Sequence, residues 1–241
     1  MQSIERNFNN PVFFDETIEE GCFFENTFVG IGTLIIDKEF ISEMEGLADT
    51  LKDNKDLVVL TSMMHNSING YYNSNNENKS DRATTYDDNL VVDEEGMVMG
   101  TKISSLKGKN IAKCSEKSLA AYVMLKRLHD GGIMKRKPEL VLSNLSAGDS
   151  KAEPHAFVIL NSEGDVKIPH ILFDPENPTQ LENPDGNKSY AVGLYVLSNE
   201  DYELLQNGFK CKPVSLFEAF GNCHEVGEQR IYGQNDQVVR N

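Results

Sequence analysis

Three residues of this chain have the types and the order from which a nucleophile can be built. Cys114 lies in KCSEKSLAAYVMLKRL, His155 in EPHAFVIL and Asp174 in ILFDPENP. A thiol at a helix start, an imidazole on one strand and a carboxylate ending the next can form a thiolate–imidazolium–carboxylate row. Such a row attacks a carbonyl carbon and passes through a thioester, so the implied chemistry is cysteine-dependent acyl transfer.

The elements that must position these groups are legible nearby. Leu119 to Leu128 is apolar almost all round, which predicts a central, buried helix. Lys126, Arg127 and His129 precede Gly131-Gly132, a basic last turn followed by a glycine stop. Cys114 then falls in the first turn, where unpaired N–H groups and the positive end of the helix dipole favour thiolate over thiol. Its backbone N–H is one candidate oxyanion donor, and Asn66, Asn69 and Asn110 are candidates for the second. LVLSNL (140–145), HAFVIL (155–160), VKIPHILFD (166–174) and YAVGLYVL (190–197) predict strands. NSEGD (161–165) has turn chemistry and joins the second to the third as a hairpin. Facing positions in such a hairpin have a constant sum, and the midpoint of 155 and 174 falls between Gly164 and Asp165. His155 and Asp174 are therefore expected together at its open end, on strands about 4.8 Å apart. A bulge at Pro169 would shift the register.

In wording and order these residues resemble the transglutaminase-like superfamily of cysteine enzymes. The shared pattern is a Cys at a helix start, a strand with His155-Ala156-Phe157, and a strand ending in Asp174-Pro175. The resemblance covers about Lys107 to Leu197. It implies an α+β fold with a papain/transglutaminase-like core, the helix bearing the Cys packed on an antiparallel sheet bearing the His and the Asp. It also implies action on amide carbonyls without a cofactor or metal, with Cys114, His155 and Asp174 as catalytic residues. Deamidation or transamidation of a protein glutamine comes first, peptide-bond cleavage second, and a catalytically inactive binding module is the rival of another class. Similar cores occur in bacterial effectors that deamidate host glutamines. The family often carries Trp after His-Ala and a small residue after Asp-Pro, where this chain has Phe157 and Glu176.

Residues 1–105 read as a mixed helical and strand portion packed on a core of 106–241 with a C-terminal extension, together one compact domain. FVGIGTLII (28–36) predicts a strand, and KEFISEMEGLADTLKDN an amphipathic helix with an acidic outer face. LVVLTSMMHNSINGYY is apolar, buried and of either type. NSNNENKSDRATTYDDN (73–89) reads as an exposed loop or a locally disordered segment, followed by strands in LVVD and GMVMGTKI. NEDYELLQNG predicts a short helix, and KPVSLFEAFGN another.

The charge balance narrows the partners. With 38 acidic against 23 basic residues the net charge is -15, which repels phosphate backbones and anionic membranes and steers in a basic protein or peptide substrate. Oligomeric state is not encoded in any feature of the sequence. No segment reaches the roughly 20 apolar residues of a membrane span, and the N-terminus lacks a signal-peptide pattern. The four scattered cysteines suit a reducing compartment, so the reading is cytoplasmic, or secreted without a cleaved signal as a translocated effector. Cys22 and Cys211 read as small buried hydrophobes, and Cys211, Cys223 and His224 lack zinc spacing. His170 reads as a satisfied strand histidine and His129 as a helix C-terminal charge. Nothing in the sequence ties His65 to the site.

Overall fold

The computed structural model describes residues 3–5, 11–25, 33–54, 56–74, 81–145, 153–162, 168–182, 189–209, 211 and 213–216. In chain order the strands and helices are β1 (Ser3–Glu5), β2 (Val12–Phe14), β3 (Phe23–Glu25), β4 (Leu34–Ile35), α1 (Lys38–Leu51), α2 (Leu57–Tyr72), α3 (Arg82–Asp87), β5 (Leu90–Val92) and β6 (Val98–Lys102). Then follow α4 (Cys114–Asp130), β7 (Lys137–Leu145), β8 (Glu153–Asn161), β9 (His170–Phe173), β10 (Thr179–Glu182), β11 (Ser189–Val192), β12 (Leu194–Leu197), α5 (Asn199–Gln206) and β13 (Val214–Ser215). The architecture is α+β. A six-stranded antiparallel sheet runs β13-β12-β9-β8-β7-β2, and a five-stranded mixed sheet runs β1-β3-β4-β6-β5. No helix of the described residues is long and apolar enough to cross a membrane.

Local chemistry sets the helix starts. Asp37, Asp56 and Asp81 cap α1, α2 and α3 by accepting from the N–H groups of Phe40, Val59 and Thr84, at 3.2, 3.0 and 3.3 Å. Ser198 and Asp201 exchange bonds across the first turn of α5 as a capping box. Alternation along β7, β8 and β9 then divides the core. Leu140, Leu142, Ala156, Val158, Leu160, Ile171 and Phe173 join the main cluster with α4 residues such as Leu119 and Tyr122. Val141, Phe157, Ile159 and Leu172 face the other way, onto Leu205 of α5. The main cluster also contains Phe40, Met44 and Ala48 of α1 and Leu60, Met64 and Ile68 of α2, so it runs across position 105 without a break. β2, from the first portion, forms an edge of the six-stranded sheet.

Four expectations need correction. The segment 73–89 is not all loop: α3 lies within it, held by a single buried aromatic, Tyr86, and by Arg82, while 75–80 lie outside the described residues. The run 190–197 is not one strand but two, parted at Gly193. The helix expected from Lys212 does not begin there: Val214–Ser215 pair with β12, Leu216 is helical, and 217–222 lie outside the described residues. The β8–β9 register is also displaced. Asn161 faces His170 and Val158 faces Phe173, so the pairs centre between Asp165 and Val166, one residue beyond the expected point. A shift of the pairing sum by two keeps every side chain on its expected face. The turn tip and most of 28–36 fall outside the described residues, β4 excepted.

Candidate functional site

Cys114 is the first residue of α4 and is half-buried, and the α4 start is unusually well anchored. Glu116, fully buried, accepts from the Lys113 N–H at 2.9 Å. Its other oxygen takes the Arg82 guanidinium at 2.5 Å and the Tyr86 hydroxyl, both from α3. Arg82 also donates to the Ile111 carbonyl at 3.0 Å, so α3 holds the approach to Cys114 as well as the first turn. Replacing Arg82 with Met should cost about 2 kcal/mol of stability in urea denaturation. The loss is less than for a fully stripped buried carboxylate, because Tyr86 and the Lys113 N–H still serve Glu116.

The second and third groups meet the first. Carried one step past Phe173, the register sets Asp174 beside Phe157, so His155 and Asp174 are diagonal rather than directly opposed neighbours. The contact forms all the same: His155 Nε2 donates to Asp174 Oδ2 at 2.7 Å. Cys114 acts on the same ring: hydrogen bonding from its side chain and its charge both raise the His155 imidazole. The ring also stacks on Phe157, with centroids 6.2 Å apart.

Burial alone would push the His155 imidazole down. The bonds from Asp174 and Cys114, and the negative charge on each, outweigh burial and raise it to about 10. Asp174 shows the reverse balance. Burial disfavours its charge, yet bonds from His155, from the Asn177 amide (3.0 Å) and from the Glu176 N–H (3.0 Å) hold it below the ordinary carboxylate value. The site therefore favours imidazolium beside carboxylate.

Several residues that sequence reasoning passed over hold Asp174 in place. Gly193 accepts the Asp174 N–H at 2.7 Å, and a Cβ built on it would lie 1.9 Å from the Asp174 carbonyl oxygen, so no side chain fits there. The signal was a lone glycine inside an apolar strand pattern. Glu176 pairs with the nearly buried Lys117 at 2.7 Å, tying the turn after Asp174 to the first turns of α4. Asn177 is fixed in turn by the Tyr195 hydroxyl, which donates to its carbonyl at 2.8 Å. His65, which no sequence feature linked to the site, sits directly behind it. Burial and then the Lys117 charge keep its ring neutral, donating from Nδ1 to the Pro175 carbonyl at 3.0 Å. Its Nε2 accepts from the Asn69 amide at 2.7 Å. Asn69 gives one amide N–H to His65, Asn66 is exposed on α2, and Asn110 is buried in a left-handed conformation with φ 53°.

The remaining histidines and thiols lie apart. His170 bonds Asn161 and Asn199 at 2.7 and 3.1 Å and stacks on Tyr202. His129, in the last turn of α4, bonds the Met134 carbonyl. Cys22 and Cys211 are buried, and burial with the nearby Asp201 charge pushes the Cys211 thiol up to about 12. Cys223 and His224 lie outside the described residues. In comparisons with known proteins, the chain matches no family model, no curated protein and no solved structure.

Proposed function

We propose that this protein is a cysteine-dependent acyl-transfer enzyme with a papain/transglutaminase-like core, acting on the amide of a protein glutamine by deamidation or transamidation. The observation that carries the reading is a half-buried imidazole that bonds a carboxylate at 2.7 Å and whose charge state responds to the thiol at a helix start. The proposed roles are these. His155 uses Nε2 on Asp174, which leaves Nδ1 for the sulfur. The imidazolium and the helix N-terminus stabilise the Cys114 thiolate. The thiolate attacks the amide carbon, and the Cys114 backbone N–H, at the positive end of the helix dipole, bonds the developing oxyanion. His155 then gives its proton to the leaving nitrogen, ammonia departs and a thioester remains. Water or an amine next attacks the thioester, surrendering a proton to the now neutral His155 and regenerating the thiolate. Asp174 keeps the ring in the correct tautomer and orientation throughout.

The test is mass spectrometry of candidate basic proteins and glutamine peptides incubated with the protein and with its Cys114→Ala variant. The expected result is an amide-to-acid mass gain at glutamine, or a cross-link with loss of ammonia, present only with Cys114. Peptide fragments instead would make it a protease of the same mechanism. Unchanged substrates, together with no thioester trapped by hydroxylamine, would leave a binding module.

A further inference from the structure

The β5–β6 hairpin carries a surface that acyl transfer does not use. β5 ends the strand order of its sheet and pairs only with β6, so among the described residues its outer edge is open. The register sets Val92 opposite Val98 beyond a β-bulge at Val91/Val92, and Leu90, two residues before Val92 on β5, is exposed as Val92 is. Leu90 is 41% exposed, Val92 56% and Val98 62%, and Met97 in the turn is 67% exposed. Natural proteins cover or charge such edges, because an open apolar strand is a template for pairing.

Charge decides what pairs here. The turn carries Asp93, Glu94 and Glu95, and Asp87 and Asp88 flank the other end of β5. Among the described residues none of these carboxylates is paired with a cation. A second copy docking along β5 would set acids against acids in either orientation: turn against turn if parallel, turn against Asp87-Asp88 if antiparallel. Nucleic acid is repelled for the same reason. The complementary occupant is an extended chain with apolar residues on one face and Lys or Arg beside them. We propose that the β5–β6 hairpin docks an extended, basic segment of a partner protein as an added strand along β5. The surface stands independently of the chemistry at Cys114.

The test uses the full-length protein and a short fluorescein-labelled peptide alternating Val and Lys, followed by anisotropy. Binding is expected, with no binding of the matching Val and Glu peptide. N-methylation of the peptide backbone along one edge should lower affinity by at least about tenfold, since it removes strand pairing but not charge. Val92→Asp with Val98→Asp should lower it similarly, although the variant is more negative and a merely electrostatic attraction would rise. Glu94→Lys with Glu95→Lys, at exposed turn positions that leave the apolar face whole, should also weaken binding. The proposal is overturned if neither peptide binds, if both bind alike, if N-methylation changes nothing, or if the double Asp variant binds at least as tightly. A dimer in sedimentation that Val92→Asp dissolves would assign the edge to a second copy and overturn it equally.

Discussion

Iodoacetamide should alkylate Cys114 at nearly the same rate from about pH 6 to about pH 9, where an ordinary thiol accelerates about tenfold per pH unit up to about 8.5. The reason is the His155 ring. Raised to about 10, it stays an imidazolium across that whole range and keeps its charge beside the sulfur. Thiolate is then present throughout, and further alkali adds none. Cys22 and Cys211 are buried, and the Cys211 thiol stands near 12, so both should react slowly and only at high pH. The measurement is best made with Cys223→Ser, which removes the one thiol outside the described residues. His155→Ala should restore the ordinary tenfold slope at Cys114 and lower kcat/KM on any glutamine substrate by about a thousandfold. A sloping profile in the parent protein, indistinguishable from that of His155→Ala, would remove the ion pair and covalent catalysis with it.

The parts of this arrangement that were legible beforehand are those written in local chemistry. Periodicity marked α1 and α4, basic residues before Gly131-Gly132 marked the end of α4, and alternating apolar runs marked β7, β8 and β9. Turn composition then brought His155 and Asp174 together, and the contact survives a register shift because an Asp and a His reach one another across a diagonal. What could not be read is what is set by tertiary contact. α3 looks like polar loop because its burden is one aromatic and one guanidinium, and the partner of both, Glu116, lies thirty or more positions later. His65 acts on a backbone carbonyl 110 positions away, which no spacing rule anticipates. Gly193 was readable as a break, but not as the point where two backbones meet at Asp174. The site thus rests on a frame that its own motif residues do not reveal.

Asp174→Asn should leave the fold intact, yet reshape how stability depends on pH. His155 stands above its ordinary value of 6.5 in the folded state, so its contribution is complete below about 6.5 and disappears as pH rises through about 10. Asp174 stands below 3.8, so its contribution is complete above that value and is lost as pH falls through the depressed folded one. Both are fully present only between about 4 and about 6.5. A rise from 6.5 to about 10 corresponds to on the order of 5 kcal/mol, shared between Asp174 and Cys114. Removing the carboxylate charge should therefore cost about 3 kcal/mol at mildly acidic pH, and the gap to the parent protein should close on going to about pH 10. Urea denaturation of both proteins across that range measures it, and the tyrosines and lysines that titrate at high pH cancel in the difference. Curves that run parallel through the alkaline range would mean that the pair contributes nothing to the charge state of His155. Gly193→Ala separates position from charge. It alters no titrating group, but its Cβ would lie 1.9 Å from the Asp174 carbonyl oxygen, so that backbone must move and carry the carboxylate with it. The same alkaline closing of the gap in this variant would show that the imidazolium depends on where Asp174 is held as much as on its being there.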